Sequence, residues 1–244
     1  MNFIKKYLAN RRLYRIAFAL FAAFFVMLAF ITYYGQNSGN FVMTIDDDGF
    51  KRGLVLCDSS EFTTHSQYLS ASPVVDVMDT TYGIIEEELP LILQTDADYT
   101  DNKSRYLAYT FYVKNTGVEN TLLYYKLSIT DESRDLSKAL RVLIVADGVV
   151  VDKDALNEIE SESSRFYMAP DSVEHNYPSY MPTPIYFISD DVVCSERVEN
   201  LRPEQSKKFT IVMWLEGEDP ECNSNLYGAK IKMSLEFSVE EFDD

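Results

Sequence analysis

Residues 106–115 read YLAYTFYVKN, and after the turn Asn115-Thr116-Gly117 the chain resumes at 122–130 with LLYYKLSIT. Both runs are rich in aromatic and β-branched residues and carry a period near two, the pattern of strands. The connection is short, so the two are expected to pair antiparallel. Similar runs lie on either side. Residues 141–146 (RVLIVA) are almost continuously apolar, and Asp147-Gly148 then signals a tight hairpin with Val149-Val150-Val151 returning. Residues 208–216 (KFTIVMWLE) form a second strong strand pattern. At 229–239 (AKIKMSLEFSV) Ile231, Met233, Leu235, Phe237 and Val239 alternate with polar residues, as in a strand with one face in water. Shorter strand patterns occur at 41–45, 54–57, 185–189 and 192–194. No amphipathic helical stretches alternate with these strands, which disfavours a parallel α/β fold. The fold class expected is all-β, an antiparallel β-sandwich of jelly-roll or immunoglobulin-like type.

Two stretches are less regular. Residues 74–93 are compatible with short helices or with a strand broken by Pro90. Residues 152–184 are polar and aromatic and hold Pro170, Pro178, Pro182 and Pro184, so they read as one long loop. This loop either contacts a partner or is laid against the sandwich by its own tyrosines.

Ahead of the sandwich, residues 16–34 (IAFALFAAFFVMLAFITYY) run for 19 residues without a charge, Gly or Pro. As a helix they would span about 28 Å, the thickness of a bilayer's hydrocarbon layer. Lys5, Lys6, Arg11, Arg12 and Arg15 precede the run, and the next basic residue is Lys51. The positive-inside rule then puts residues 1–15 in the cytoplasm as a basic tail and 16–34 across the membrane as a single-pass helix. Residues 35–40 become a tether and 41–244 an extracellular domain. A cleaved signal peptide is the competing reading, but the run is long for one and no Ala-x-Ala site follows it.

The formal net charge is −17. Removing the five basic residues of the tail from the total of 22 leaves 17 against 39 acidic ones, a net −22 outside. Such a domain repels nucleic acid and anionic lipid surfaces, and admits basic partners and divalent cations. Asp46, Asp47 and Asp48 precede Gly49 in what reads as a turn. Three carboxylates could supply oxygen ligands to calcium, although the spacing is not that of an EF-hand loop. Glu216, Glu218, Asp219 and Glu221 would add ligands if the fold brought them to that turn. No other cofactor is expected. Solvated surface acidity accounts for the same residues.

Cys57, Cys194 and Cys222 are an odd count for an exported protein. Cys194 and Cys222 flank a strand pattern and are the preferred disulfide pair; three reduced thiols are the alternative. The two histidines, His65 and His175, carry no metal-binding or nucleophile pattern, and no HExxH, GxSxG, P-loop or GxGxxG motif occurs. Trp214, the single Trp, is expected in the core.

Several stretches carry a resemblance. Asn40-Phe41-Val42 after an apolar segment, 106–117 (YLAYTFYVKNTG), 139–144 (ALRVLI) and 211–222 (IVMWLEGEDPEC) resemble Gram-positive (Firmicutes) membrane-anchored surface proteins, mostly of unassigned function. In layout and strand order the chain is distantly similar to TasA/camelysin-type biofilm matrix proteins. The resemblance implies a jelly-roll-like sandwich on the cell exterior and assembly into fibres by strand exchange. A retained anchor departs from that pattern by tying fibres to the membrane, and the peptidase label sometimes given to camelysins finds no metal motif here. The expectation is a non-enzymatic surface protein that contacts other proteins or itself, with 41–45 as the strand offered for exchange. A ligand-binding or sensory ectodomain for a peptide, glycan or cation, using residues 152–184, is the alternative, and an extracellular hydrolase a third.

Overall fold

A strand buried on both faces carries a continuous apolar run, whereas a strand buried on one face alternates. The computed structural model, which describes residues 15, 17–28, 41–146, 164–171 and 177–240, sorts the strands along this line. The alternating ones build a five-stranded sheet from β1 (Phe41–Ile45), β3 (Tyr68–Ser70), β6 (Thr121–Glu132), β10 (Val192–Leu201) and β12 (Ile231–Ser238), in the order β10-β6-β12-β1-β3. The more continuous ones build a seven-stranded sheet. It holds β2 (Leu54–Cys57), β4 (Ala97–Tyr99), β5 (Tyr106–Asn115), β7 (Leu140–Ala146), β8 (Ser164–Met168), β9 (Ile185–Tyr186) and β11 (Ser206–Leu215). Its order is β2-β5-β11-β7-β8-β9, with β4 also paired to β5.

The two sheets face each other across one core. Phe111 and Phe209 of the larger sheet stack at 5.6 Å and meet Phe237 of the smaller sheet edge-on at 5.8 and 5.2 Å. Leu127, Leu235, Met43, Val142 and Ile211 fill the space around them. The expected all-β sandwich is present, but its sheets are mixed: β1 runs parallel to β12, and β8 to β9. After β1 the chain leaves for the other sheet, so the neighbour of β1 is a distant strand entering from the same end.

The expected pairing of 106–115 with 122–130 does not form. β5 pairs with β2, β4 and β11, while β6 pairs with β10 and β12 in the opposite sheet. The short connection between them crosses from one sheet to the other. The fully buried Asn115 organises this arch. Its amide donates to the carbonyls of Glu119 at 2.8 Å and Leu201 at 2.9 Å, and its Oδ1 accepts from the Gly117 N–H at 2.8 Å. Gly117 passes so close to β2's approach that an added Cβ would lie 2.1 Å from the Arg52 carbonyl.

Of the undecided stretch 74–93, the part from Tyr82 onward is a helix. A short helix, α2 (Asp47–Lys51), follows β1, and α3 (Tyr82–Gln94) lies on the outer face of the seven-stranded sheet. Tyr82, Ile85, Leu89, Ile92 and Leu93 recur every three or four residues and are buried, which is a helical stripe. Pro90 sits inside, at the expense of one backbone hydrogen bond; burial of the stripe outweighs that loss. Beneath α3, Trp214, Phe166, Tyr106, Leu143 and Val212 make a second core. Trp214 is thus buried, but outside the space between the sheets. β5, β7 and β11 are covered on both faces, which explains their unbroken apolar runs.

Residues 152–184 are not a single loop. They contain β8, whose Phe166 and Met168 face α3's side and whose Tyr167 faces the sandwich core. The hairpin expected at Asp147-Gly148 lies outside the described residues.

The chain divides into two compact units, Met1–Ser38 and Gly39–Asp244. In the first, residues 17–28 are helical (α1) and leave large apolar side chains exposed, among them Phe18, Phe21, Phe24, Phe25 and Met27. Among the described residues no helix is long and apolar enough to cross a membrane. Residues 1–14 of the expected tail (1–15), residues 16 and 29–34 of the expected span (16–34) and the tether at 35–40 lie outside them.

Candidate functional site

A lone cation in an apolar strand must find a counter-charge if the strand is buried. Arg141 opens the apolar run of β7, opposite Trp214 on β11, and points to the outer face. Its counter-charge comes from the loop after β11. Asp219 accepts a short hydrogen bond from Arg141 Nη2, and the two side chains are 0% and 1% exposed. Arg141 Nη2 also donates to the Tyr177 hydroxyl at 2.7 Å, and Nη1 donates to the carbonyls of Lys138 at 3.0 Å and Leu140 at 3.1 Å. The guanidinium carbon lies 5.5 Å from the Tyr177 ring centre.

Tyr177 ties a second acid to this group, because its hydroxyl lies 2.8 Å from Asp171 Oδ1 and 3.3 Å from Asp219 Oδ2. Burial, then the hydrogen bond to Asp171, push the Tyr177 hydroxyl up, against the pull of Arg141. Among the described residues, Asp171, Asp219 and Glu221 bring three carboxylates within 4.8 Å of one another. Asp219 is already held by Arg141 and by the Glu221 N–H at 2.7 Å through Oδ1. The guanidinium neutralises part of the charge that would attract a cation, so the group works as an ion lock within the fold.

Glu216 lies just before this loop and is wholly buried. Thr80 and Gly217 fix its backbone: the Thr80 N–H donates to the Leu215 carbonyl at 2.9 Å and Gly217 N–H donates to the Thr80 carbonyl at 2.7 Å. Glu216 Oε2 accepts from Trp214 Nε1 at 3.0 Å and from the Tyr82 N–H at 3.2 Å. Burial pushes its carboxyl pKa up, opposed first by the Trp214 hydrogen bond. One carboxylate thereby joins the start of α3 to β11.

Next to the ion lock, Phe166, Met168 and Met181 with Pro178, Pro182 and Pro184 line an apolar cavity of about 220 Å³, and Tyr177 forms its polar wall. This is the concave surface that the loop at 177–184 builds against β8.

The sequence-expected ligands are placed elsewhere. Asp46 is the N-cap of α2, accepting from the Gly49 N–H at 2.8 Å, and its other oxygen lies 3.1 Å from Ser238 Oγ. Asp47 accepts from Gln67 Nε2 at 3.1 Å, and Asp48 pairs with Lys51 at 3.2 Å. The turn expected at 46–49 is therefore a helix start. Asp219 and Glu221 meet Asp171 rather than that segment, and Glu218 is exposed. Cys194 and Cys222 are free thiols, as is Cys57. Cys194 belongs to the sandwich core, whereas Cys222 lies in the loop beyond β11 among Asp79, Asp219 and Glu216. Burial pushes the Cys194 thiol up to about 12 and the Cys222 thiol up to about 11, so both stay protonated and weakly nucleophilic at neutral pH. His65 is exposed, and His175 lies outside the described residues. What sequence reasoning passed over is Arg141 itself; the signal was a single cation inside an otherwise apolar strand.

No protein-family model, curated protein or solved structure matches this chain.

Proposed function

We propose that the chain is a membrane-anchored surface protein that displays an acidic β-sandwich for protein contacts at the cell envelope or in an extracellular matrix, and that it is not an enzyme. The observation that carries this reading is α1, whose apolar side chains are exposed along residues 17–28. A helix apolar on all faces needs lipid or a large protein core around it. Five basic residues precede it in the sequence and none follows until Lys51, which orients the sandwich away from the cytoplasm. The resemblance to Gram-positive surface proteins and the jelly-roll-like sandwich it implies agree with this placement.

Self-association is part of the proposal, with β1 as the strand passed between molecules; paired on both edges within one chain, it would have to leave its own sandwich before it entered another. Phe41, Met43 and Ile45 are buried in the sandwich core, and β1 lies between β12 and β3. An exchanged β1 would keep the same side-chain contacts in a neighbouring copy. The full chain expressed in bacterial cells is expected to float with membranes and to lose its sandwich to protease added outside. Recovery in the soluble cytoplasmic fraction would refute the anchor. Light scattering on residues 39–244, with and without calcium, tests assembly: a monomer in both conditions refutes self-association.

A second reading rests on the cavity beside Tyr177. Its apolar lining and about 220 Å³ suit a side chain or a small apolar ligand, which makes a ligand-binding ectodomain the alternative. Met181→Trp would fill the cavity. An envelope partner retained equally by wild type and this variant would argue against that reading.

A further inference from the structure

The strand that follows the N-terminal unit is paired along both edges. β1 is parallel to β12 over five residue pairs, from Phe41 opposite Met233 to Ile45 opposite Phe237. On its other edge β1 pairs antiparallel with β3 from Val42 to Thr44. Single hydrogen bonds extend that edge, the Ala71 N–H donating to the Phe41 carbonyl at 3.0 Å and the Ile45 N–H to the Gln67 carbonyl at 3.0 Å. The far end is fastened too, since the Asp46 N–H donates to the Phe237 carbonyl at 2.9 Å and Asp46 Oδ2 lies 3.1 Å from Ser238 Oγ.

The parallel pairing fixes how such a strand bears load. The start of β1 and the end of β12 lie at opposite ends of the ladder, about 13 Å or more apart along the strands at ~3.3 Å per residue. Tension between these points runs along the strands, across the inter-strand hydrogen bonds, so all of them resist together. Tension between the start of β1 and the start of β12 acts at one end of the ladder and opens it a bond at a time.

We propose that β1, clamped between β12 and β3, is a mechanical lock that loads in shear when tension enters the sandwich at residue 40 and leaves it beyond the end of β12. The membrane-anchor reading supplies the source of that tension, as pull between an anchored segment and a partner that grips the chain beyond β12. The lock itself is a property of the strand order and does not depend on the anchor.

The test uses the full chain in detergent in a single-molecule force experiment at one loading rate. One preparation carries handles at Asn40→Cys and Asp244→Cys, the other at Asn40→Cys and Lys230→Cys, both with Cys222→Ser. Lys230 is exposed and stands just before β12. The same folded protein is thus pulled in two directions. The expected result is a mean unfolding force several-fold higher for the 40/244 pair than for the 40/230 pair. Equal forces, or a higher force for 40/230, overturn the proposal. Failure of the anchor reading would show in membrane flotation instead, and would leave the force ratio unchanged.

Discussion

Removing Arg141 should cost far more than removing an ordinary surface cation, and most of the loss should be recoverable by removing Asp219 as well. The side chains are 0% and 1% exposed, so neither charge can turn to water when its partner is lost. Arg141→Leu strands the Asp219 carboxylate, which keeps only neutral donors, the Glu221 N–H at 2.7 Å and the Tyr177 hydroxyl at 3.3 Å, and also frees the Lys138 and Leu140 carbonyls. Breaking a buried pair from one side costs about 3–5 kcal/mol. Asp219→Leu strands the guanidinium and should cost a similar amount. The double variant removes both charges and replaces them with apolar bulk beside Trp214, so it should lie within about 1–2 kcal/mol of wild type, as replaced buried pairs often do. Urea unfolding of residues 39–244, followed by far-ultraviolet circular dichroism, gives the four stabilities of the cycle. A coupling energy of several kcal/mol is expected, against about 0–1 kcal/mol for an exposed pair. If Arg141→Leu costs under about 1 kcal/mol, or if the two single losses simply add, the ion lock is not what holds the loop after β11 to the sheet.

Three further outcomes are expected. Asn115→Ala should destabilise by about 1–3 kcal/mol through the buried Leu201 carbonyl it orphans, measured by the same urea melts; a loss under about 0.5 kcal/mol would remove Asn115 as the organiser of the arch. Asp101 accepts from Arg105 Nε at 2.9 Å, and that hydrogen bond holds its carboxyl down at about 2. A lowered pKa means stability present above the ordinary carboxylate value and lost as pH falls through about 2, so Asp101→Asn should be less stable than wild type at neutral pH, with the gap closing toward pH 2; a gap independent of pH refutes the linkage. Glu216 has the opposite sign: burial raises its pKa, so its stabilising contribution is present below the ordinary carboxylate value and fades as pH rises through the raised one. The thermal midpoint of wild type relative to Glu216→Gln should therefore fall from acid to neutral pH, and a rise would refute the assignment.

Much of the strand content is legible locally, because alternation and β-branching are local. Residues 106–115 are β5, and 229–239 contain β12 with Met233, Leu235 and Phe237 turned inward as expected. Pairing is not local. Whether Thr116–Gly117 closes a hairpin or an arch depends on Asn115 reaching the Leu201 carbonyl 86 positions away, which no window around the turn contains. Pro90 hid α3, since a proline lowers every helical reading of its neighbourhood, while the buried stripe that sustains the helix exists only against the sheet. β8 was hidden by the prolines that follow it, from Pro170 on, and by its polar neighbours, although Phe166, Tyr167 and Met168 bury on alternate faces. The site was half visible. The acids after Trp214 stood out, but they read as surface charge until Arg141, 78 positions earlier in the chain, supplied the reason for burying one of them.

The placement of the single Trp has an optical consequence. Trp214 belongs to the layer between α3 and the large sheet, stacked on Phe166 at 5.9 Å, and takes no part in the space between the sheets. Its emission therefore reports on one side of a wall whose other side is lined by Phe111, Phe209 and Ile211, which are spectroscopically quiet beside an indole. Because β5, β7 and β11 contribute alternate side chains to both sides, the two layers share their masonry. Emission and backbone signals that change together would mean the wall fails as one piece. An earlier shift in emission would mean that the helix peels from the outside while the sandwich still stands.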